Sequence, residues 1–309
     1  MVALGGNALS PKSDAGTIES QFEHTKKSLK SLMHFVRNDY NICITHGNGP
    51  QVGAELMKNE ISSTKIPSLP LSVLVANTQG AMGYMVQQSL QNALYNENTN
   101  REVVSFISQM KVDRDDPAIN EPSKFIGQTY TDEKAQLLIT NSKWSMKEQE
   151  PGCWRRVVPS PTPKYIFNGK SIKHLVDFGT IVIAGGGGGI PAYNLSDGTL
   201  KGLNGVIDKD MTAALLGRII KAQELFIITD VDNIYLNFKT DSEEIIYDAP
   251  ASDVKNWLKD GHFWRGSMEP KIKAALYFLN HHGKEVVITS INNIENAIHK
   301  KAGTRIIKD

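Results

Sequence analysis

The chain has 309 residues, and its 34 lysine and arginine residues are nearly balanced by 33 aspartate and glutamate residues. A net charge of +1 lacks the basic excess of a nucleic-acid-binding protein, so we expect no nucleic-acid partner. No apolar run approaches the roughly 20 residues needed to cross a bilayer, so we expect no membrane partner either. Cys43 and Cys153 lack metal-ligand spacing, which favours reduced thiols in a cytoplasmic protein.

Six short apolar segments predict strands. Most of them do not alternate apolar with polar residues, which is typical of strands covered on both faces of a parallel sheet. The first directly follows Met1 and has no basic region before it, so we interpret it as a strand and not as a secretory signal. The predicted strands are Val2–Leu4, Asn41–Thr45, Val103–Ile107, Thr180–Ala184, Leu225–Thr229 and Val286–Thr289.

Helical patterns separate these strands. Apolar residues recur at helical spacing around Leu29 and Leu276, and longer candidates cover 73–96 and 211–220. Asn292 followed by Glu295 resembles a capping box that opens a last helix. The alternation of strand and helix predicts a doubly wound sheet with helices on both faces.

The region from about Asp113 to Phe167 interrupts this alternation. It contains several prolines and two short strand-like pieces, Arg156–Val158 and Tyr165–Phe167. Loops beyond about 12–15 residues are uncommon in domains, so we favour an inserted subdomain or lid over one long ordered surface loop.

Glycine-rich turns carry the clearest chemical signal. Three of them, at 5–6, 47–49 and 185–189, directly follow predicted strands, and a fourth at 266–267 opens a helix. Glycine lets backbone N–H groups approach an anion, and a helix N-terminus adds partial positive charge. Ligands of open α/β sheets bind beyond the carboxyl ends of the strands. Any one turn could be a tight connection without a ligand, but the four together favour phosphoryl binding.

Two common nucleotide motifs do not fit the sequence. Gly169-Lys170-Ser171 resembles the end of a Walker A loop, but the required first glycine falls at Lys164. A dinucleotide fingerprint that starts in the 185–189 run would need its last glycine at Ile190 or Pro191.

Charged residues suggest phosphoryl transfer, which needs mainly positioning and charge neutralisation. Lys209 stands between Asp208 and Asp210 at a predicted helix start, although a capped helix with solvated charges is an equal alternative. The segment 229–233 could line a nucleotide site, but an Asx-type turn is slightly favoured there. The eight histidines show no metal-ligand spacing, so no metal site built from protein side chains is predicted.

A set of motifs along the whole chain resembles the carbamate kinases, a branch of the amino acid kinase family. The matching segments are Ala-Leu-Gly-Gly-Asn-Ala-Leu (3–9), Thr-His-Gly-Asn-Gly-Pro-Gln-Val-Gly (45–53), Arg-Arg-Val-Val-Pro-Ser-Pro (155–161), Ala-Gly-Gly-Gly-Gly-Gly-Ile-Pro (184–191), Val-Ile-Asp-Lys-Asp (206–210), Thr-Asp-Val-Asp-Asn-Ile-Tyr (229–235), Gly-His-Phe (261–263), Gly-Ser-Met (266–268) and Gly-Thr-Arg-Ile-Ile (303–307).

The resemblance implies a fold and a reaction. The fold is an open three-layer αβα sandwich with a mainly parallel central sheet and a protruding subdomain. A carbamate-binding lobe would cover 1–205, with the lid at about 113–167, and a nucleotide-binding lobe 206–309. The implied reaction is ATP + carbamate ⇌ ADP + carbamoyl phosphate, run towards ATP in the arginine deiminase pathway of arginine catabolism. The resemblance also implies a homodimer and Mg²⁺ that arrives with ATP or ADP, without direct protein ligands.

The resemblance also assigns site residues. The implied catalytic residues are Lys124, Lys209, Asp210 and Lys271, with Asp210 orienting the lysines. The implied substrate and phosphoryl site comprises Gly5, Gly6, Asn7, Gly47, Asn48, Gly49, Gly186, Gly187 and Gly188. The implied nucleotide site comprises Thr229, Asp230, Tyr235, Ser267, Met268 and Lys271.

Three positions refine this assignment. Relatives similar to acetylglutamate kinase carry a lysine where this chain has Ala3, and in carbamate kinases the missing charge comes from the lid, here from Lys124. Phe125 replaces a usual proline, and Glu269 replaces a usual glycine close to the expected ADP phosphates. Two alternatives stay open: another acylphosphate-forming kinase, which Ala3 with Lys124 disfavours, and an inactive nucleotide-binding regulator, which Glu269 favours and the lysines oppose.

Overall fold

A computed structural model describes residues 1–9, 16–264 and 266–309, except for the side chains of Asn7 and Ala8. The strands in this part of the chain are β1 (Val2–Leu4), β2 (Cys43–His46), β3 (Val103–Ser105), β4 (Gln109–Val112), β5 (Lys124–Tyr130), β6 (Met146–Glu150), β7 (Cys153–Val158), β8 (Pro163–Ile166), β9 (Ile181–Ile183), β10 (Ile190–Asn194), β11 (Leu200–Gly202), β12 (Glu224–Thr229), β13 (Ile234–Leu236), β14 (Glu244–Ile246), β15 (Asp248–Pro250), β16 (Glu285–Ser290) and β17 (Thr304–Ile307). The α-helices are α1 (Gly6–Leu9), α2 (Ile18–Lys30), α3 (Met33–Arg37), α4 (Gly49–Ser62), α5 (Leu71–Asn96), α6 (Asp132–Ser142), α7 (Gly169–Asp177), α8 (Lys209–Ile220), α9 (Ala251–Lys259), α10 (Met268–Leu279) and α11 (Ile294–Ile298).

Eight strands form the central sheet in the order β15-β17-β16-β12-β1-β2-β9-β3. The pairs from β16 through β12, β1, β2 and β9 to β3 are all parallel, and β17 runs antiparallel to β16. The predicted mixed α/β fold with a mainly parallel sheet is therefore confirmed. All six strands predicted from the sequence lie in this sheet, with ends shifted by up to two residues.

Both faces of the sheet are buried, which explains why its strands are apolar without alternation. Along β1, Ala3 packs into one hydrophobic cluster with residues of α7, α8 and α10. Its neighbours Val2 and Leu4 pack into a second cluster on the opposite face, with residues of α2, α3, α5 and α11. The sheet between these two helical layers positions every strand end that reaches the site.

Strands β5, β7 and β6 form a separate antiparallel sheet, which we call the lid sheet. It contains the predicted strand Arg156–Val158 within β7, and Lys124 begins β5. Strands of the predicted N-terminal and C-terminal lobes share the central sheet through the β1–β12 pair, so the lobe boundary at 205 stays a prediction.

One local prediction is wrong. The last helix begins at Ile294, and Asn293 at its N-cap makes no side-chain capping hydrogen bond, so the capping box expected from Asn292 and Glu295 does not form. A short 3₁₀ turn at Ile291–Asn293 takes its place. Among the residues described, no helix is both long and apolar enough to cross a membrane.

Candidate active site

A cleft of about 380 Å³ lies at the carboxyl ends of β1, β2 and β12 and is bordered by the lid sheet. We call it the central cleft. Most of the residues assigned from the sequence line it: Gly5, Gly6, Gly47, Asn48, Gly49, Lys124, Gly187, Lys209, Asp210, Thr229, Asp230, Ser267 and Lys271. Segments that are up to 266 positions apart in the chain therefore meet in one cavity.

The first two glycine turns touch each other through their backbones. Gly5 donates its N–H to the Ile228 carbonyl at 2.8 Å, and a Cβ at Gly5 would lie 2.8 Å from that oxygen. A Cβ at Gly47 would lie 2.7 Å from the backbone nitrogen of Gly6. Real Cβ atoms do not come this close to backbone, so the approach of the two turns requires glycine.

Polar side chains from β2, α8 and the loop between β3 and β4 hold the 185–189 glycine run in place. Thr45 donates its hydroxyl proton to the Gly185 carbonyl at 2.8 Å, and Gly185 N–H donates to Ser108 Oγ at 2.8 Å. Thr212 donates to the Gly188 carbonyl, also at 2.8 Å. Gly185, Gly187, Gly188 and Gly189 all have positive φ, which any other residue would find strained.

Of the three glycines assigned in this run, only Gly187 lines the central cleft. A Cβ at Gly186 would meet the ring of the buried His46, and one at Gly188 would overlap the Ile207 carbonyl. Gly186 and Gly188 therefore let neighbouring segments pack behind the cleft wall.

The charged residues of the cleft form two clusters, one around Asp210 and one around Asp208. Asp210, only 2% exposed, pairs through Oδ1 with Lys209 and through Oδ2 with Lys271 Nζ at 3.2 Å. Lys124 Nζ, which comes from the lid sheet, lies 3.1 Å from Asp208 Oδ2. Three lysines thus converge on two aspartates that are separated by one residue.

Electrostatics keep this arrangement charged at neutral pH. Burial alone would raise the pKa of Asp210, but the charges of Lys209 and Lys271 bring it down to about 2. Burial alone would lower the pKa of Lys271, and the nearby carboxylates of Asp210, Asp208 and Asp230 raise it instead. An anionic ligand in the cleft therefore meets Lys271 as a charged ammonium group held beside an ionised Asp210.

Asp208 also lines the central cleft, although the family resemblance did not assign it to the site. Its Oδ1 accepts the N–H of Asp210 at 2.9 Å and caps α8, while its Oδ2 receives Lys124. A carboxylate at a helix N-cap is favoured by the helix dipole as well as by these hydrogen bonds. Its position at the start of a helix, next to Lys209, was the signal in the sequence.

Arg155 is a second residue that the assignment missed, although it belongs to the quoted Arg-Arg motif. It lines the cleft from β7 and donates Nη2–H to the Gly127 carbonyl at 2.9 Å. Its guanidinium carbon lies 5.8 Å from the centre of the Phe125 ring, and burial lowers its pKa. The β5–β7 hairpin brings Arg155 next to the strand that carries Lys124.

Two of the assigned nucleotide residues do not line the central cleft. Tyr235 lies in β13 with its ring 5.7 Å from that of Phe238, and Met268 packs against the hydrophobic core at the start of α10. Asn7 falls in α1, and its side chain lies outside the described residues.

Glu269 is turned away from the position expected for it. Its carboxylate lies 2.6 Å from Lys273 Nζ, one turn further along α10. It contributes to a separate surface pocket beside Trp264 and does not line the central cleft. The Glu269 carboxylate therefore lies outside the central cleft, and its effect on ADP binding stays a prediction.

Comparisons with known proteins agree with this geometry. Residues 1–290 match the model of the amino acid kinase family. The chain therefore belongs to the amino acid kinase family.

Within that family the chain is similar to carbamate kinases. It is 38% identical to the carbamate kinase of Pyrococcus furiosus over 309 residues, which cover 99% of this chain and 98% of that protein. It is 39% identical to the carbamate kinase of Staphylococcus epidermidis over 311 residues, which cover 100% and 99%. The solved structure of Giardia lamblia carbamate kinase bound to AMP-PNP superposes with a TM-score of 0.92 at 36% identity, covering 100% of this chain and 98% of that one.

Proposed function

We propose that this protein is a carbamate kinase that catalyses ATP + carbamate ⇌ ADP + carbamoyl phosphate. The observation that carries the proposal is the set of three charged lysines gathered by two aspartates beside the glycine turns of the central cleft. Full-length similarity to proteins named carbamate kinase supports the same reaction.

The cleft offers two ends for the two substrates. Thr229, Asp230 and Ser267 line the cleft together with Lys271, whose Nζ lies 3.5 Å from the Ser267 carbonyl, and we place the nucleotide phosphates beside them. Gly47, Asn48 and Gly187 also line it, with the Asn48 amide against Gly187, and we place carbamate there. The phosphoryl group then passes between them, over the Gly5-Gly6 turn.

The chemistry needs no general base, because the carbamate oxygen that attacks is already an anion. Lys209 and Lys271 neutralise charge on the transferred phosphoryl oxygens, and Asp210 holds both ammonium groups in place. Lys124, on the lid sheet, adds a third positive charge. Its ammonium group leaves Asp208 and binds a phosphoryl oxygen instead. Because the lysines are positioned before the reaction, little reorganisation is needed in the transition state.

We propose that Mg²⁺ enters with the nucleotide phosphates. Asp208 and Asp210 already face lysines, and no group of three or more metal-binding side chains occurs in the described residues. This donor set fits an ion held mainly by phosphate oxygens and water, as Mg²⁺ prefers. When bound, the ion would neutralise phosphate charge that the lysines do not reach.

A coupled assay of ATP formation from ADP and carbamoyl phosphate tests the proposal. Turnover that depends on Mg²⁺ is expected. Measurable ADP binding without turnover would instead support an inactive nucleotide-binding regulator. The homodimer, the cytoplasmic location and the role in arginine catabolism remain predictions from the sequence.

A further inference from the structure

We propose that Asn48 selects the amino group of the substrate, and that Thr78 makes this possible by fixing the orientation of the Asn48 side-chain amide. In this arrangement Asn48 Oδ1 accepts a hydrogen bond from the NH₂ group of carbamate or carbamoyl phosphate. The inference rests on the proposed function. It also explains how the site would reject an acyl phosphate that lacks this N–H.

The orientation of the amide follows from one hydroxyl proton. Thr78 is 3% exposed, and its hydroxyl donates to the Val75 carbonyl at 2.8 Å. Because a hydroxyl carries a single proton, Thr78 Oγ1 can only accept from its other neighbour. That neighbour is the Asn48 amide at 2.9 Å, so the group facing Thr78 is the Nδ2 donor.

Packing holds the amide in this plane. Asn48 is 8% exposed and lies against the α-carbon of Gly187, where any Cβ would overlap the amide group. Gly187 has a φ of +63°, so the backbone at this point is also suited to glycine. The Asn48 side chain therefore has Thr78 on one side and Gly187 on another, with the central cleft in front of it.

The remaining amide atom, Oδ1, is suited to a ligand in the cleft. Within the described part of the chain, no hydrogen bond reaches Asn48 Oδ1, whereas Nδ2 is engaged. An acceptor held near the substrate and left without a donor is costly, by about tenfold or more in binding. A ligand N–H would satisfy it.

The lysines and the two paired aspartates of the cleft are engaged in other ways. Lysine ammonium groups are donors only, so Lys124, Lys209 and Lys271 serve the oxygens of the substrates. The carboxylates of Asp208 and Asp210 face these lysines. An amino group on the substrate needs an acceptor elsewhere, and Asn48 supplies one on the wall where we place carbamate.

Acetyl phosphate is the informative competitor, because a methyl group replaces the amino group of carbamoyl phosphate at nearly the same size. A site that hydrogen-bonds a substrate N–H discriminates strongly against the analogue without it. We expect the wild-type protein to prefer carbamoyl phosphate to acetyl phosphate, by kcat/KM for ATP formation, by at least about tenfold.

The test compares Thr78→Val with the matched control Thr78→Ser. Valine preserves the shape of threonine but removes the acceptor that orients the amide, so the ratio of the two kcat/KM values should fall by about tenfold. Serine retains the hydroxyl, and the ratio should stay close to that of the wild type. Asn48→Leu removes both amide atoms and should lower the ratio as well, which keeps the test available if Thr78→Val does not fold. Thermal melting and ADP calorimetry establish that each variant is folded.

The outcomes separate this inference from the proposed function. An unchanged ratio in folded Asn48→Leu protein would overturn the role of Asn48, and an unchanged ratio in folded Thr78→Val protein would overturn the orienting role of Thr78. A wild-type protein that uses carbamoyl phosphate and acetyl phosphate equally well would also overturn the inference. The proposed function would survive that result, because the protein would still be a kinase acting on carbamoyl phosphate. A wild-type protein that forms ATP from neither donor would overturn both.

Discussion

Lys124 Nζ lies 3.1 Å from Asp208 Oδ2, and this ion pair joins the lid sheet to the helix that begins with Lys209 and Asp210. The lysine side chain is 40% exposed and the aspartate side chain 20%, so the pair lies at the mouth of the cleft. Partly exposed pairs of this kind contribute little to stability, on the order of 0–1 kcal/mol. The proposed function gives this contact another role, which is to hold the Lys124 ammonium group beside the proposed phosphoryl site.

Replacing Lys124 with methionine tests that role. Methionine preserves much of the aliphatic stem but removes the positive charge. Ala3, next to the first glycine turn, is uncharged and cannot replace it. We expect kcat for ATP formation to fall by about a hundredfold or more, because one donor to the transferred group is lost. Melting temperature should change little.

Lys134→Met is the matched control for this experiment. Lys134 belongs to α6, which packs on the lid sheet, and its Nζ lies 3.8 Å from Glu60, away from the central cleft. Its loss should leave kcat within about twofold of the wild type, since surface substitutions have small effects. Equal losses in the two variants would show that lid charge in general, and not Lys124, matters.

Lys209→Ala should lower kcat by about a thousandfold or more, because Lys209 neutralises charge that develops on the transferred group. ADP should still bind, since Lys271 remains paired with Asp210. Steady-state kinetics and ADP calorimetry together measure the two effects. Lys173→Ala, which breaks a surface pair with Asp177 on α7, is the control. A defect limited to the KM for ADP would contradict the assigned role.

The sequence predicted those parts of the site that lie in contiguous motifs. The glycine turns follow apolar strands, so their spacing predicted anion binding. For Lys209 and Asp210 the spacing left a capped helix as an equal alternative, and the family resemblance assigned their role. Thr78 and Ser108 support the site from segments that are distant in sequence from the residues they hold, and Thr212 reaches Gly188 from within α8. An isolated hydroxyl has no local signature. Their roles depend on tertiary packing, which periodicity does not report.

The central sheet was predictable for a similar reason, since strands buried on both faces are uniformly apolar. Two strands at one end of this sheet were missed: β15, which is an edge strand, and its neighbour β17. The first spans only Asp248–Pro250 and contains a proline, and the second is short and ends with an exposed Ile307. A proline within a short segment argues against a strand in the sequence, although an edge strand such as β15 tolerates it.

Glu269→Gln tests whether the carboxylate on α10 affects nucleotide binding. Because Glu269 pairs with Lys273 and lies outside the central cleft, we expect the KM for ADP to stay within about twofold, as for most surface substitutions. Lys273→Gln, which frees the carboxylate from its partner, is the companion variant and should also preserve the KM. A marked fall in KM for Glu269→Gln would show that this carboxylate repels the bound phosphates.

His46 should make the folded protein sensitive to mild acid. It is 1% exposed behind the glycine run, and burial lowers its pKa to about 4, although a hydrogen bond with the Gly47 carbonyl opposes this. The unfolded chain has the ordinary histidine pKa of about 6.5 and binds the proton more readily. The stability that neutral His46 contributes is therefore fully present above about pH 6.5 and is lost as pH falls towards about pH 4.

The size of this effect follows from the shift, at about 1.4 kcal/mol per pKa unit, or about 3 kcal/mol across the window. Urea unfolding of the wild type and of His46→Gln, measured between pH 7 and pH 4, reports it directly. At pH 7 the variant is expected to be less stable than the wild type, since glutamine must fit a packed site beside Gly186. On acidification it should lose less stability than the wild type. Parallel stability curves for the two proteins would show that His46 is not the group that titrates, because substitution at this position would then leave proton uptake on unfolding unchanged.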